Sequence, residues 1–139
     1  MELKVYVIDD EDSVRDSLSA LLNTVGHQTE TFATASDCLN EISNSESDNP
    51  RCLLIDIELP DMSGLDLLSE LRRRNELIPA IVMTGHGDED LESRAAEQNA
   101  VGYFQKPFDT SELLNKISGI LAPATGPLEE KPAVAPCIS

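Results

Sequence analysis

Tryptophan is absent from this 139-residue chain, and aromatic residues make up only 4% of it. Any core must therefore be aliphatic, built from Leu, Ile, Val and Ala. Cysteine is scarce and odd in number: Cys38, Cys52 and Cys137. No pair has metal-ligand spacing, which argues against a disulfide scaffold or a zinc site. Cys52 lies in an apolar run and reads as a small buried hydrophobe. Positive charge is also scarce, with 10 Lys and Arg against 26 Asp and Glu, a net charge of −16. A duplex-DNA reader needs a basic surface, so direct nucleic-acid binding by this chain is not expected. No stretch approaches the roughly 20 apolar residues of a membrane helix. The first apolar run is too short for a signal peptide and runs straight into acids. The expected location is the cytoplasm, with no membrane partner. The length fits one domain able to bury a core without staples.

What is present is an alternation of short β-rich runs and helical patterns. Val5 to Ile8 is a continuous apolar run ending at Asp9, the pattern of a strand buried on both faces. Val14, Leu18, Leu21, Leu22 and Val25 follow helical spacing, and Gly26 stops that helix. Gln28 to Phe32 reads as a second strand, and Ser36 opens a helix with Leu39 and Ile42 inward. After a polar loop from Asn44 to Pro50, Cys52 to Ile55 is a buried strand ending at Asp56. Gly64 precedes a helix with Leu65, Leu68 and Leu71 on one stripe, and Ile81 to Met83 is a strand ending at Thr84. Asp88 to Asn99 is a weakly amphipathic helix with Leu91, Ala95 and Ala96 inward. Gly102 to Phe104 is a fifth strand before Lys106-Pro107. Asp109 and Glu112 form a capping box for a helix carrying Leu113, Leu114, Ile117, Ile120 and Leu121.

Five βα units predict an α/β fold: a flavodoxin-like (βα)5 arrangement with a parallel five-stranded sheet and helices on both faces. The domain is expected over residues 1–121. From Ala122 to Ser139 the composition changes, with Pro123, Pro127, Pro132 and Pro136 among Ala and Gly, and this reads as a flexible tail or linker.

Ligands of open α/β sheets bind outside the carboxyl ends of the strands. Asp9, Asp10, Asp56, Thr84 and Lys106 all fall at such ends, so they should converge on one edge. Three crowded carboxylates repel one another unless a cation is present, and oxygen-only ligands select a hard ion such as Mg²⁺. A hydroxyl and an ammonium suit the oxygens of a transferring phosphoryl group. The bland alternatives are that Asp9 and Asp10 cap the first helix, that Thr84 merely ends a strand, and that Lys106 is a surface lysine.

These motifs carry a specific resemblance over about residues 3 to 121. Val7-Ile8-Asp9-Asp10-Glu11 resembles the acid pair of response-regulator receiver domains. Asp56-Ile57-Glu58-Leu59-Pro60-Asp61-Met62-Ser63-Gly64 looks like the segment around their phosphorylated aspartate. Met83-Thr84-Gly85-His86-Gly87-Asp88 and Phe104-Gln105-Lys106-Pro107-Phe108 match the last two motifs. The Thr84 segment is similar to the FixJ-like branch, often fused to a LuxR-type DNA-binding domain.

The resemblance implies that Asp56 accepts a phosphoryl group from a sensor histidine kinase, a phosphotransfer protein or a small donor. Asp10, Asp56 and the backbone carbonyl of Glu58 would bind Mg²⁺, with Asp9 acting largely through water. Thr84 and Lys106 would hold the phosphoryl group. Thr84 and Tyr103 would form the switch, and Glu58 and His86 would tune phosphoryl lifetime. For Tyr103 and His86 the plain readings are a half-buried tyrosine and an exposed loop histidine. The family usually holds the Lys106–Pro107 bond cis. Its output face would be the fourth helix, fifth strand and fifth helix, which would meet a second copy of the chain or an output domain missing from it.

Two other classes compete. A Mg²⁺-dependent phosphatase of the haloacid-dehalogenase type also uses a strand-end aspartate, but with a D-x-D pattern on the first strand and a substrate cap for which this chain has no room. A transcription factor is favoured by the FixJ-like motif, yet the residues after Leu121 cannot form a helix-turn-helix. Their two acids and one base, a net of −1, leave −15 of the −16 on the folded part.

Overall fold

The computed structural model describes residues 3–44, 50–76, 78–87 and 89–121. The tail from 122 to 139 with Cys137, most of the polar loop before Pro50, and Asp88 lie outside the described residues. The elements alternate without exception: β1 (Lys4–Ile8), α1 (Asp12–Thr24), β2 (Gln28–Phe32), α2 (Ala35–Asn44), β3 (Arg51–Asp56), α3 (Gly64–Arg73), β4 (Ala80–Thr84), α4 (Glu89–Glu97), β5 (Ala100–Gln105) and α5 (Thr110–Leu121). The five strands form one sheet in the order β2-β1-β3-β4-β5, every pairing parallel. This is the expected flavodoxin-like order. The chain reverses its direction of winding between β1 and β3, which opens a crevice at their carboxyl ends.

The strand alternation divides the core into two layers. Tyr6, Ile8, Leu53, Ile55, Ala80 and Val82 face one side, where α2, α3 and Ala95 of α4 cover them. Val5, Val7, Cys52, Leu54, Ile81 and Met83 face the other, covered by Leu18 and Leu22 of α1 and Leu113 and Ile117 of α5. Central strands buried on both faces need apolar residues at every position, which explains the unbroken runs. β2, at the edge, buries only Phe32.

Several expected inward positions are different. Val25 lies beyond the end of α1 and is 48% exposed, because Gly26 takes a positive φ and turns the chain away. Ala96 of α4 is exposed, leaving Ala95 as that helix's one buried residue among those described. α3 buries Leu67 as well as the expected stripe. The cap of α5 is Asp109, whose carboxylate accepts from the Ser111 N–H at 2.8 Å.

Candidate functional site

The carboxyl ends of β1, β3, β4 and β5 bring the expected residues together. Asp9 directly follows β1 and is fully buried, Asp56 ends β3 and is 4% exposed, and Thr84 ends β4 and is fully buried. They are the described chain's buried polar side chains. Asp10 is exposed at the rim. Carboxylate oxygens of Asp9, Asp10 and Asp56 lie within 4.8 Å of one another.

Lys106 reaches into this cluster from just past β5. Its Nζ donates to Asp9 Oδ2 at 2.6 Å and to Asp56 Oδ2 at 2.9 Å, with Glu11 Oε1 at 4.0 Å. The lysine is placed by its backbone: its N–H donates to the Thr84 carbonyl at 2.7 Å, continuing the β4–β5 ladder, and the following Pro107 bond is cis. It is not a free surface lysine. Burial pulls its pKa down, but hydrogen bonds to Asp9 and Asp56 and their charges outweigh that, so it is held above its usual value.

Asp56 is oriented from two sides. Oδ1 accepts from the Glu58 N–H at 2.9 Å, while Oδ2 faces Lys106. Burial, with help from the Asp9 charge, raises its pKa above the usual carboxylate value against the opposing pull of Glu58 N–H and Lys106. The acid is thus under electrostatic pressure that a further cation would relieve. Asp9 does not cap α1. Its Oδ1 accepts from the Glu11 N–H at 2.9 Å, and Glu11 is the residue that precedes the helix. Arg15, which sequence reasoning did not single out, donates to the Asp9 carbonyl at 2.6 Å. Thr84 Oγ1 accepts from the His86 N–H at 3.1 Å and so ties the hydroxyl to the loop after β4.

The segment between β3 and α3 is a closed loop. Gly64 N–H donates to the Ile57 carbonyl at 2.8 Å, and Glu58 and Ser63 pair across it. Glu58 and His86 are both exposed at the mouth, and Tyr103 is half-buried against the core. A Cβ on Gly87 would lie 2.8 Å from the Tyr103 hydroxyl, so that ring's tip borders the loop after Thr84.

The donor set is oxygen-only: three carboxylates, two of them buried, beside an accessible backbone loop. That chemistry fits a hard divalent cation such as Mg²⁺ and not a soft transition metal. Asp9 and Asp56 each already accept from Lys106 Nζ and from one backbone N–H, whereas the Asp10 carboxylate is exposed.

Comparison with known proteins bears on this arrangement. Residues 5–118 match the family described as the response regulator receiver domain. The response regulator protein TodT of Pseudomonas putida is 37% identical over 131 residues, which are 94% of this chain and 56% of that protein. The chain thus spans about half the length of the relatives it matches. The crystal structure of FixJ-N superposes with a TM-score of 0.77 at 32% identity, covering 86% of this chain and 94% of that one. The beryllofluoride-activated NtrC4 receiver domain dimer gives 0.75 at 30% identity, covering 84% and 94%.

Proposed function

The chain belongs to the response-regulator receiver family, and from that premise we propose that Asp56 is its phosphoryl acceptor. The observation that carries this reading is Lys106 Nζ, 2.9 Å from Asp56 and 2.6 Å from Asp9 at the carboxyl edge of the sheet. A lysine so placed can follow the Asp56 oxygen as it becomes an acyl phosphate and pair with the new anion.

In this mechanism an Asp56 carboxylate oxygen attacks phosphorus in line. The new O–P bond forms as the bond from phosphorus to the donor's imidazole nitrogen, or to the leaving oxygen of a small donor, breaks. The leaving group departs with the electron pair. Asp10, Asp56 and the Glu58 carbonyl would hold Mg²⁺, with Asp9 contributing through water; the bound ion would neutralise charge on the phosphoryl oxygens. Lys106 supplies a second positive charge, and the Thr84 hydroxyl donates to a phosphoryl oxygen once it leaves the His86 N–H. Little covalent chemistry is asked of the protein, which positions and neutralises. Hydrolysis of the acyl phosphate at the same site would reset the switch, with Glu58 and His86 at the mouth governing water's approach.

The donor on this reading is a sensor histidine kinase or phosphotransfer protein. The readout is the α4–β5–α5 face, with Thr84 and Tyr103 as its switch pair, meeting a second copy of the chain or an output domain. The greater length of the curated relatives supports an output domain joined through residues 122–139, with 1–121 as the receiver. Among the described residues no helix is long and apolar enough to cross a membrane, and the proposed site of action is the cytoplasm.

The test is direct. Incubation with Mg²⁺ and acetyl phosphate, followed by mapping of the acid-labile label, should place it on Asp56. Asp56→Asn should lose the label. Equal labelling of that variant would reject the assignment.

A further inference from the structure

Asp61 sits at the exposed tip of the loop between β3 and α3, yet its carboxylate accepts three hydrogen bonds from an element 25 residues earlier. Oδ1 accepts from the Ala35 N–H at 3.1 Å. Oδ2 accepts from the Ser36 N–H at 2.9 Å and from Ser36 Oγ at 2.7 Å. Ala35 and Ser36 are the first two residues of α2, and the third N–H, that of Asp37, donates to Thr34 Oγ1 at 3.2 Å. The free donors at the start of α2 are therefore shared between a cap in its own chain segment, Thr34, and a cap delivered across space, Asp61. The negative charge also meets the positive end of the helix dipole.

The loop that Asp61 anchors is the one that begins at Asp56 and carries Glu58. Its base is fixed by Gly64 N–H on the Ile57 carbonyl and by Ile57 N–H on the Met83 carbonyl at 2.9 Å. On its inner side Leu59 and Met62 pack against the core. The tip is held by Asp61. Glu58 lies between these anchors and donates its N–H to Asp56 Oδ1. Its carbonyl direction is therefore set by how the loop is pinned at both ends.

We infer that Asp61 is a positioning residue for the phosphoryl site: by capping α2 from the β3–α3 loop it fixes the Glu58 carbonyl and the Asp56 carboxylate in the arrangement that receives Mg²⁺. The inference rests on the assignment of Asp56 and Glu58 made above. Partners that orient metal ligands commonly cost on the order of tenfold or more in metal affinity when removed.

The control is built into the same helix end. Thr34→Ala removes the other cap of α2 without touching the loop, and its thermal shift sets the effect of weakening α2 alone. Mg²⁺ affinity is read from amide shifts of residues 56–59 during titration with MgCl₂. Labelling rates with acetyl phosphate are read across the same Mg²⁺ range.

Asp61→Ala should weaken Mg²⁺ on the order of tenfold and slow labelling at low Mg²⁺, with the rate recovering as Mg²⁺ is raised. Asp61→Asn, which keeps one oxygen acceptor but no charge, should fall between it and wild type. Thr34→Ala should melt earlier, as Asp61→Ala does, yet bind Mg²⁺ and label as wild type does. The inference is overturned if Asp61→Ala matches wild type in Mg²⁺ affinity, or if Thr34→Ala loses as much as Asp61→Ala. Absence of label on wild-type Asp56 would overturn the functional reading itself, and this inference with it.

Discussion

A side chain on Gly64 would collide with Asp56: an ideal Cβ built there lies 2.5 Å from the Asp56 carbonyl oxygen and 2.8 Å from Ile55 Cγ2. Backbone is on the receiving end, so no rotamer change can relieve the contact. Gly64→Ala should therefore destabilise the fold by about 1–3 kcal/mol, the usual range for overpacking, and should slow labelling of Asp56 because β3 must shift. Urea denaturation and acetyl phosphate labelling check both. A variant as stable as wild type would mean that α3 can slide away without cost.

Mg²⁺ should stabilise the protein through Asp10. Asp9 and Asp56 already share Lys106, whereas the exposed Asp10 adds a third negative charge within 4.8 Å and has an open path for an ion. A ligand at tenfold its Kd adds about 1.4 kcal/mol to the native state. Melting in EDTA and in millimolar Mg²⁺ should differ for wild type and coincide for Asp10→Ala. That variant should also melt no lower than wild type in EDTA, since it removes repulsion. Equal Mg²⁺ shifts in both proteins would put the ion elsewhere.

The strands and the strand-end residues were legible because burial on both faces forces unbroken apolar runs, and a polar residue closing such a run stands out. Asp9, Asp56 and Thr84 were found by that signal alone. Lys106 was placed with them by its position just past the fifth strand, although lysine on its own reads as surface. Helix faces were less legible. Ala96 and Val25 fitted the helical period, but small or terminal residues carry too little apolar area to decide their own facing. Asp61 was out of reach as a cap. Its partners lie 25 residues away, and only the tertiary fold brings that loop onto α2. Arg15 was hidden likewise, because it acts on a backbone carbonyl that no side-chain pattern reveals.

The thiols of Cys38 and Cys52 should be inert in the native state. Both are fully buried, and burial pushes each pKa up to about 12, with the charges of Glu30 and Glu41 adding to the effect at Cys38. Only the thiolate reacts, so at pH 8.5 the reactive fraction is on the order of 10⁻³ to 10⁻⁴ before access is considered. Iodoacetamide at pH 8.5 followed by peptide mapping should leave both unmodified, and 6 M urea should expose both. Native modification of Cys52 would mean that β3 opens locally.

The last prediction concerns the response to phosphorylation. α4 is held chiefly by Ala95, with Leu91 partly buried, and by Arg72, whose Nη1 donates to the Glu97 carbonyl at 3.0 Å and to Gln98 Oε1 at 3.2 Å. α1, by contrast, buries Leu18 and Leu22. Elements with few apolar contacts are the ones that open and shift. The proposed trigger, Thr84, ends β4, the strand that precedes α4. Thr84 Oγ1 accepts from the His86 N–H, and on the proposed reading a shift of that hydroxyl toward a phosphoryl oxygen would weaken this bond and loosen the loop over residues 85–87. Tyr103 borders the same loop at Gly87, so the loop cannot move without changing the ring's surroundings. On the proposed reading, a local charge change would thereby be coupled to a weakly held element. Hydrogen exchange with and without beryllofluoride should show altered protection through α4, β5 and the start of α5, and little change in α1. Protection changes confined to residues 56–64, with 85–108 untouched, would sink the proposal that this face carries the output.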